Sequence, residues 1–358
     1  MDQACQVSLD LEKPQVSSSS SIIYRANQGS HSKVDVDTDV INPEVTSDHC
    51  VSTDFSRTIQ AGVELGFRGI QSILEGKQLV DIAGVTTETF NILLKRTERL
   101  IDDDCKLNRE DRLLLFLMKL KTGLSFSALG AIFSIDRETV CHIFFQILEY
   151  LSCVTEDLIF WPAKNLVQDT MPKSLKDDYG NTRVIIDCTE FRMDAPSRID
   201  HMVWCYSHCE YGFTIKVLIC ITPGGYICFK SKAAGGMMTD SQITIDSGLF
   251  DLLEEGDVVL ADKSFAEIKT VLDASGKRVS VVMPPVLCEK QGFTQEEAEE
   301  TYNVAIVRVH VKRIIQNLRI YKVFDKVHRC LFSHIDDLIH VCCVLVNFQP
   351  IDENDGGF

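Results

Sequence analysis

The sequence predicts an α/β protein in which an all-helical region precedes a domain of alternating strands and helices. Between about residues 56 and 160, apolar residues recur at spacings of three and four, as on one face of a helix. From about residue 180 to 350, short β-branched runs alternate with helical patterns. Pro223-Gly224-Gly225 separates two of these runs, as a hairpin turn does.

Composition is that of an ordinary soluble protein, with 45% apolar and 25% charged residues among 358. No apolar run approaches the roughly 18–20 residues of a membrane span, so we expect no membrane partner. None of the 14 cysteines belongs to a Cys-x-x-Cys pair, which predicts buried free thiols in a reducing compartment rather than zinc ligands. The net charge of −16, taken alone, argues against nucleic-acid binding.

Three segments differ in character. Residues 1–55 are rich in Ser and Asp with little apolar content, and we interpret them as a disordered acidic leader. Residues 56–160 form the helical region, with a helix-turn-helix at about 107–152. Residues 175–350 form the α/β domain.

The helical region contains the joints of a helix-turn-helix. Asn108 is placed to cap a helix that Gly123 ends. Two further helices, at 126–133 and 137–150, flank the turn Ser134–Asp136, with Asp136 as the N-cap of the second.

On the second helix of this pair, Val140, Ile143 and Phe144 should face the core. Arg137, Thr139 and His142 should then face outward, with Glu138 beside them, at the end that normally meets the DNA major groove. The alternative is a plain helical bundle without a DNA surface.

In the α/β domain, strands are predicted at Val184–Ile186, Met202–Ser207, Thr214–Ile221, Tyr226–Ser231 and Asp257–Ala261. Helices are predicted at Asp240–Leu253 and at about Thr294–Leu318.

Two carboxylates follow apolar strands directly. Asp187 ends Val184–Ile186, and Asp262 ends the strand at Asp257–Ala261. If these strands are neighbours, both carboxylates reach one edge of the sheet, where Mg²⁺ ions about 3.5–4 Å apart could be held for phosphoryl transfer. The alternative is two ordinary turn residues, because Asp is common in turns.

Several motifs, in order over about residues 105–350, resemble the DDE superfamily endonucleases related to Harbinger transposases. They are Leu113–Tyr150, Trp161–Lys164, Asn181–Glu190, Tyr206-Ser207, Ile221–Gly225, Gly235-Gly236 with Thr239-Asp240, Ala261–Phe265, Arg308–Arg319 and Asn347–Pro350. The resemblance implies a ribonuclease-H-like catalytic domain, with a mixed sheet flanked by helices, that cleaves DNA with divalent metal (Mg²⁺ or Mn²⁺).

In that family the metals are bound by two aspartates and a glutamate. The resemblance places the aspartates at Asp187 and Asp262, and Ser264 replaces a glycine that usually lies near the second. The glutamate position is Lys312, in Arg308-Val309-His310-Val311-Lys312-Arg313. An ammonium group cannot coordinate Mg²⁺, so we expect cleavage to be impaired, with Lys312 able instead to pair with either aspartate.

Two groups of acidic residues could replace the missing glutamate ligand, but the position of each disfavours it. Glu190 should point to the opposite face of its strand from Asp187. The acids at Glu296, Glu297, Glu299 and Glu300 lie three to four helical turns before Lys312.

The segment around Lys312 is also basic within an acidic protein. It contains Arg308, Lys312, Arg313, Arg319, Lys322, Lys326 and Arg329. We predict that Arg308, Lys312, Arg313 and Arg319 contact a DNA backbone, as would Arg137, Thr139 and His142. The alternative is a solvated helix face.

Three functions therefore remain open at the level of sequence: a transposase-derived DNA-binding protein with an impaired nuclease, a working nuclease, and a protein-interaction module that has lost DNA binding. DNA is the expected partner. Because the chain has no zinc-finger spacing, sequence specificity must come from the helix-turn-helix or from a separate protein partner. The nucleus is the expected location, with the cytoplasm as the alternative.

Overall fold

The computed structural model describes residues 66–100, 106–172, 176, 180–283 and 312–349. All of them except Gly66 belong to one compact unit, Phe67–Phe358. The predicted leader and most of the helix predicted at Thr294–Leu318 lie outside the described residues, and the predicted domain boundaries remain predictions.

The helical region has the predicted helix boundaries at Asn108, Gly123 and Ser134–Asp136. Its helices are α1 (Gly76–Ala83), α2 (Thr87–Arg96), α3 (Arg109–Thr122), α4 (Phe126–Phe133), α5 (Arg137–Val154) and α6 (Lys164–Asp169). Asn108 caps α3 by accepting from the Asp111 amide, and Gly123 ends that helix in the left-handed conformation. These caps are local, which is why the sequence predicts them.

The α/β part contains seven described strands: β1 (Thr182–Arg192), β2 (Tyr206–Ser207), β3 (Gly212–Ile221), β4 (Ile227–Lys230), β5 (Ala234–Gly235), β6 (Val258–Leu260) and β7 (Ser280–Val282). Its described helices are α7 (Ile199–Cys205), α8 (Asp240–Asp246), α9 (Leu249–Leu252), α10 (Ala266–Ala274), α11 (312–318) and α12 (Ile335–Asn347).

The sheet is mixed. β1 pairs antiparallel with β3 and parallel with β6, and β6 pairs parallel with β7. β2, β4 and β5 pair with the other edge of β3. A helical region followed by this sheet with flanking helices confirms the predicted ribonuclease-H-like α/β fold.

Each face of the sheet has its own core. One core joins β1, through Ile185 and Phe191, to the helical region and to α11 and α12. The other core joins β1, through Val184 and Ile186, to α8 and α10. Because alternate residues of β1 enter opposite cores, the strand is fixed in register from both sides.

Three sequence predictions need correction. Met202–Ser207 is not one strand: it lies mostly in α7, none of whose residues is buried, and only Tyr206–Ser207 is extended. The helix predicted at Asp240–Leu253 is broken into α8 and α9, because Gly248 adopts a positive φ of 82° between them. Asp187 does not end its strand, since β1 continues to Arg192 along β3.

One segment, Arg329–Asn347, is long and apolar enough to span a bilayer, although the sequence predicts no such run. Of its 18-residue window, 61% is buried inside the protein, and α12 contacts α5 and β4. This burial is what a core helix shows. None of the cysteines in the described part of the chain forms a disulfide.

Candidate functional site

Asp187 and Asp262 meet where β1 and β6 separate. The two strands last pair at Ile185 and Leu260, and each aspartate lies two residues beyond its own strand's member of that pair. The Asp262 carboxylate accepts a hydrogen bond from the Lys263 amide at 2.6 Å and caps the turn Lys263–Phe265. The structure therefore brings the two predicted carboxylates to one region of the sheet.

Asp187 also interacts electrostatically with the charged groups around it. The pKa of Asp187 is raised to about 6, chiefly by burial and also by the charges of Asp240 and Asp262, while a backbone hydrogen bond at Cys188 and the charge of Lys312 oppose the rise. Asp187 thus senses two carboxylates and one ammonium group. Keeping it ionised at neutral pH costs free energy unless a cation offsets the repulsion.

Asp240 is a third carboxylate near Asp187. It was not identified from the sequence as a candidate site residue, although Thr239-Asp240 belongs to the motifs quoted above. Thr239 caps α8, which places Asp240 in the first turn of that helix. Its carboxylate pairs with Lys216 Nζ at 3.2 Å, and both side chains are largely buried. The sequence gives little indication of this role, because an Asp in the first turn of a helix is common wherever it interacts favourably with the helix dipole.

Lys216 links Asp240 to the rest of β3. Burial lowers the pKa of Lys216, but Asp240 and Glu190 outweigh it, so that the net shift is upward. Glu190 itself accepts a short hydrogen bond from the Thr214 hydroxyl. Asp240 and Glu190 therefore already have cation or hydroxyl partners.

Lys312, which the resemblance places at the position of the third acid, is the first described residue of α11. Ile314, Ile315 and Leu318 bury one face of this helix in the core. Lys312 is exposed, and its charge lowers the pKa of Asp187. The helix therefore presents an ammonium group where the resemblance implies a carboxylate.

This donor set does not fit a two-ion centre. Asp187 and Asp262 supply hard oxygen ligands, but Lys312 supplies positive charge, and Mg²⁺ sites need oxygen donors. Within the described ranges, no group of three His, Cys, Asp or Glu side chains could hold a metal ion.

Replacing Asp187 with asparagine is expected to stabilise the metal-free protein at neutral pH. Because the pKa of Asp187 is raised from 3.8 to about 6 on folding, its contribution is most favourable below about pH 4 and is lost as pH rises to about 6. Asparagine removes this loss. The free energy of unfolding is measured in urea with a chelator present. Near pH 4, Asp187→Asn and wild type should have the same free energy of unfolding. At pH 7 the variant should be more stable by about 1 kcal/mol, a value reduced to allow for the partial exposure of Asp187.

Asp251→Asn is the matched control, because Asp251 is an exposed carboxylate in α9. It should leave the difference between pH 4 and pH 7 unchanged. Equal pH profiles for Asp187→Asn and Asp251→Asn would contradict the assigned burial of Asp187.

The helix-turn-helix is built as predicted around Ser134–Asp136. Ser134 ends α4 in the left-handed conformation, and Asp136 caps α5. A Cβ on Gly130 would lie 2.7 Å from the Ile135 carbonyl oxygen, so the turn packs against α4 at a distance that only glycine permits. Val140 and Phe144 are buried, as predicted.

The predicted DNA-facing residues lie at the start of α5. Arg137 and His142 are exposed, and Arg137 lies 3.9 Å from the Glu138 carboxylate. Thr139 is partly buried, and its hydroxyl donates to Asp136 Oδ2 at 2.6 Å, so that hydroxyl is used in the cap. Their contact with DNA remains a prediction.

Most described cations of the basic segment already have partners. Arg319 donates to the Glu190 carbonyl oxygen at 3.4 Å, and Lys322 lies 3.5 Å from Asp325. Lys326 pairs with Asp194 at 2.9 Å. Arg313 is exposed, and Arg308 lies outside the described residues. DNA contact by this segment likewise remains a prediction.

Two family models match the chain. Residues 186–347 match the model described as DDE superfamily endonuclease, which spans β1 to α12 and includes Asp187, Asp262 and Lys312. Residues 105–156 match the helix-turn-helix of DDE superfamily endonuclease, which covers α3 to α5. No curated protein and no solved structure matches the chain.

Proposed function

We propose that this protein is a transposase-derived DNA-binding protein with impaired strand cleavage. The proposal starts from the matches of the chain to the helix-turn-helix and to the endonuclease domain of the DDE superfamily. The single observation that carries the impairment is Lys312, which brings positive charge to Asp187 at the position of the third acid. The motif order quoted above supports a Harbinger-type origin.

The charge balance supports loss of metal rather than a rearranged site. Wild type has two carboxylates and one ammonium group at this edge. The charge of a third carboxylate, Asp240, also raises the pKa of Asp187, but Lys216 pairs with Asp240 at 3.2 Å. Recruiting Asp240 as a ligand would leave the ammonium group of Lys216 largely buried without that partner, which is costly.

We further propose a nuclear location and a separate protein partner that supplies sequence specificity. The helix-turn-helix supports contact with DNA, but Glu138 beside Arg137 weakens its attraction for phosphate. A second DNA-binding protein would offset this weakness.

Calorimetric titration of Mn²⁺ into the full chain tests the impairment. Wild type should show no specific site, whereas Lys312→Glu should gain one, because it restores the third oxygen donor. Arg313→Glu is the matched control: it makes the same charge change at the adjacent exposed position and should gain none.

Nicking of supercoiled plasmid in Mg²⁺ or Mn²⁺ is measured on the same samples. If wild type binds two ions as well as Lys312→Glu does and nicks DNA, the working-nuclease alternative is correct. If wild type shows no salt-dependent binding to duplex DNA at all, the interaction-module alternative, which the net charge of −16 favours, replaces the proposal.

A further inference from the structure

A cleft of about 560 Å³, whose lining residues do not include the two aspartates, lies between the helical region and the segment 316–322, which starts in the last turn of α11. Its walls come from the end of α1, the end of α3 and the segment 316–322. The residues that line it are Asp81, Lys121, Thr122, Gln316, Arg319, Ile320 and Lys322.

The cleft is strongly cationic for so acidic a protein. Lys121, Arg319 and Lys322 line it against a single acid, Asp81. Burial lowers the pKa of Lys121, Asp81 raises it, and the like charge of Lys322 lowers it further. An anion between Lys121 and Lys322 would relieve their repulsion.

The existing partners of these cations leave the repulsion in place. Lys322 pairs at 3.5 Å with Asp325, but both side chains are more than half exposed, so the pair is weak. Arg319 donates to a neutral carbonyl oxygen, that of Glu190. Thr122 donates its hydroxyl to Met118.

The walls are held rigidly by close backbone approaches. Gly84 and Gly123 end α1 and α3 with positive φ angles. A Cβ on Gly84 would lie 3.0 Å from the Tyr321 ring, and one on Gly123 would lie 3.0 Å from the Lys322 carbonyl oxygen. Buried Tyr321 also donates to the Gly84 carbonyl oxygen at 3.3 Å. These contacts fix the backbone that forms the cleft walls.

The cleft is also aligned with the candidate nuclease edge. Spacings of four and three residues separate Lys312, Gln316 and Arg319. Lys312 and Gln316 therefore lie on one face of α11, and Arg319 continues that face just after the helix ends. Seven residues correspond to about 10 Å along a helix axis. Arg319 therefore lies about 10 Å beyond Lys312 along this segment.

We propose that this cleft is a phosphate site, and that it holds a DNA backbone phosphate near the Asp187–Asp262 edge. The choice of DNA as the source of the phosphate rests on the function proposed above. The site ties the helix-turn-helix region and the nuclease-like domain to one strand.

Two measurements test the site on the full chain, with Lys121→Gln and the double variant Lys121→Gln/Lys322→Gln. Lys269→Gln is the matched control, because Lys269 is an exposed lysine on α10, against the other face of the sheet. The first measurement is affinity for a 20-base-pair duplex as a function of salt. The second is calorimetric titration of inorganic pyrophosphate at low salt.

The slope of log affinity against log salt should fall by about one for Lys121→Gln and should not change for Lys269→Gln. Pyrophosphate should bind wild type weakly at one site that the double variant loses. Unchanged salt slopes together with unchanged pyrophosphate binding would overturn the site. Loss of pyrophosphate binding with an unchanged DNA slope would overturn DNA as the ligand and assign the cleft to free phosphate compounds.

These measurements distinguish an error in the proposed function from an error in the proposed phosphate site. If wild type binds no DNA, DNA binding itself is wrong, and the pyrophosphate titration alone then decides whether the cleft takes phosphate. Loss of duplex binding in Arg137→Ala with the cleft variants unaffected would assign DNA to the helix-turn-helix only, against the cleft.

Discussion

Asp257→Asn is expected to lower the free energy of unfolding by about 3 kcal/mol, since breaking a buried ion pair leaves an uncompensated charge. Asp257 is buried just before β6, and it accepts the Glu254 amide at 2.8 Å. Its carboxylate lies 3.1 Å from Lys164 and 3.8 Å from the buried guanidinium of Arg183.

Arg183 has few other means of compensation. Its guanidinium lies 5.0 Å from the centre of the Trp161 ring. Its Nε and Nη1 atoms are buried and donate no hydrogen bond to any described residue. Removing the Asp257 charge therefore leaves a buried cation supported mainly by an aromatic ring, and the cost appears in stability.

Urea unfolding of the full chain measures this loss, and Arg278→Ala is the control. Arg278 pairs with Glu255 at 3.3 Å, but both side chains are more than 70% exposed, so its loss should change the unfolding free energy by less than about 1 kcal/mol. An Asp257→Asn variant as stable as Arg278→Ala would show that Asp257 does not offset Arg183.

Phe144→Ala is expected to lower the free energy of unfolding by about 3–5 kcal/mol, because a fully buried aromatic ring leaves a cavity. Phe144 of α5 is 0% exposed. Its ring centroid lies 5.2 Å from that of Phe116 on α3 and 5.5 Å from that of Phe126 on α4. The variant therefore removes the contact that joins all three helices of the helix-turn-helix.

Phe160→Ala is the matched control. Phe160 is 48% exposed and has Tyr226 as a ring neighbour at 5.3 Å, so its truncation should cost much less. Thermal or urea unfolding that found the two variants equally stable would contradict a shared core for α3, α4 and α5.

The sequence alone determined features whose causes lie within a few residues. Asn108, Gly123 and Asp136 cap or end helices through their own side chains or backbone, so both boundaries of α3 and the start of α5 were predictable. The Asp187–Asp262 pair was predictable for a similar reason, because each follows a short apolar run and the two runs lie on neighbouring parallel strands of the sheet.

Only the tertiary structure decided features that depend on a partner distant in sequence. β1 continues past Asp187 because β3 pairs with it as far as Arg192. Residues 199–205 are helical although a strand was predicted at Met202–Ser207. The Trp204 carbonyl oxygen at the end of that helix accepts a hydrogen bond from the Met237 amide at 3.1 Å. Asp240 joins the site because α8 packs beside β3, where Lys216 meets it. Such contacts are set by how elements pack, and no local spacing in the chain encodes them.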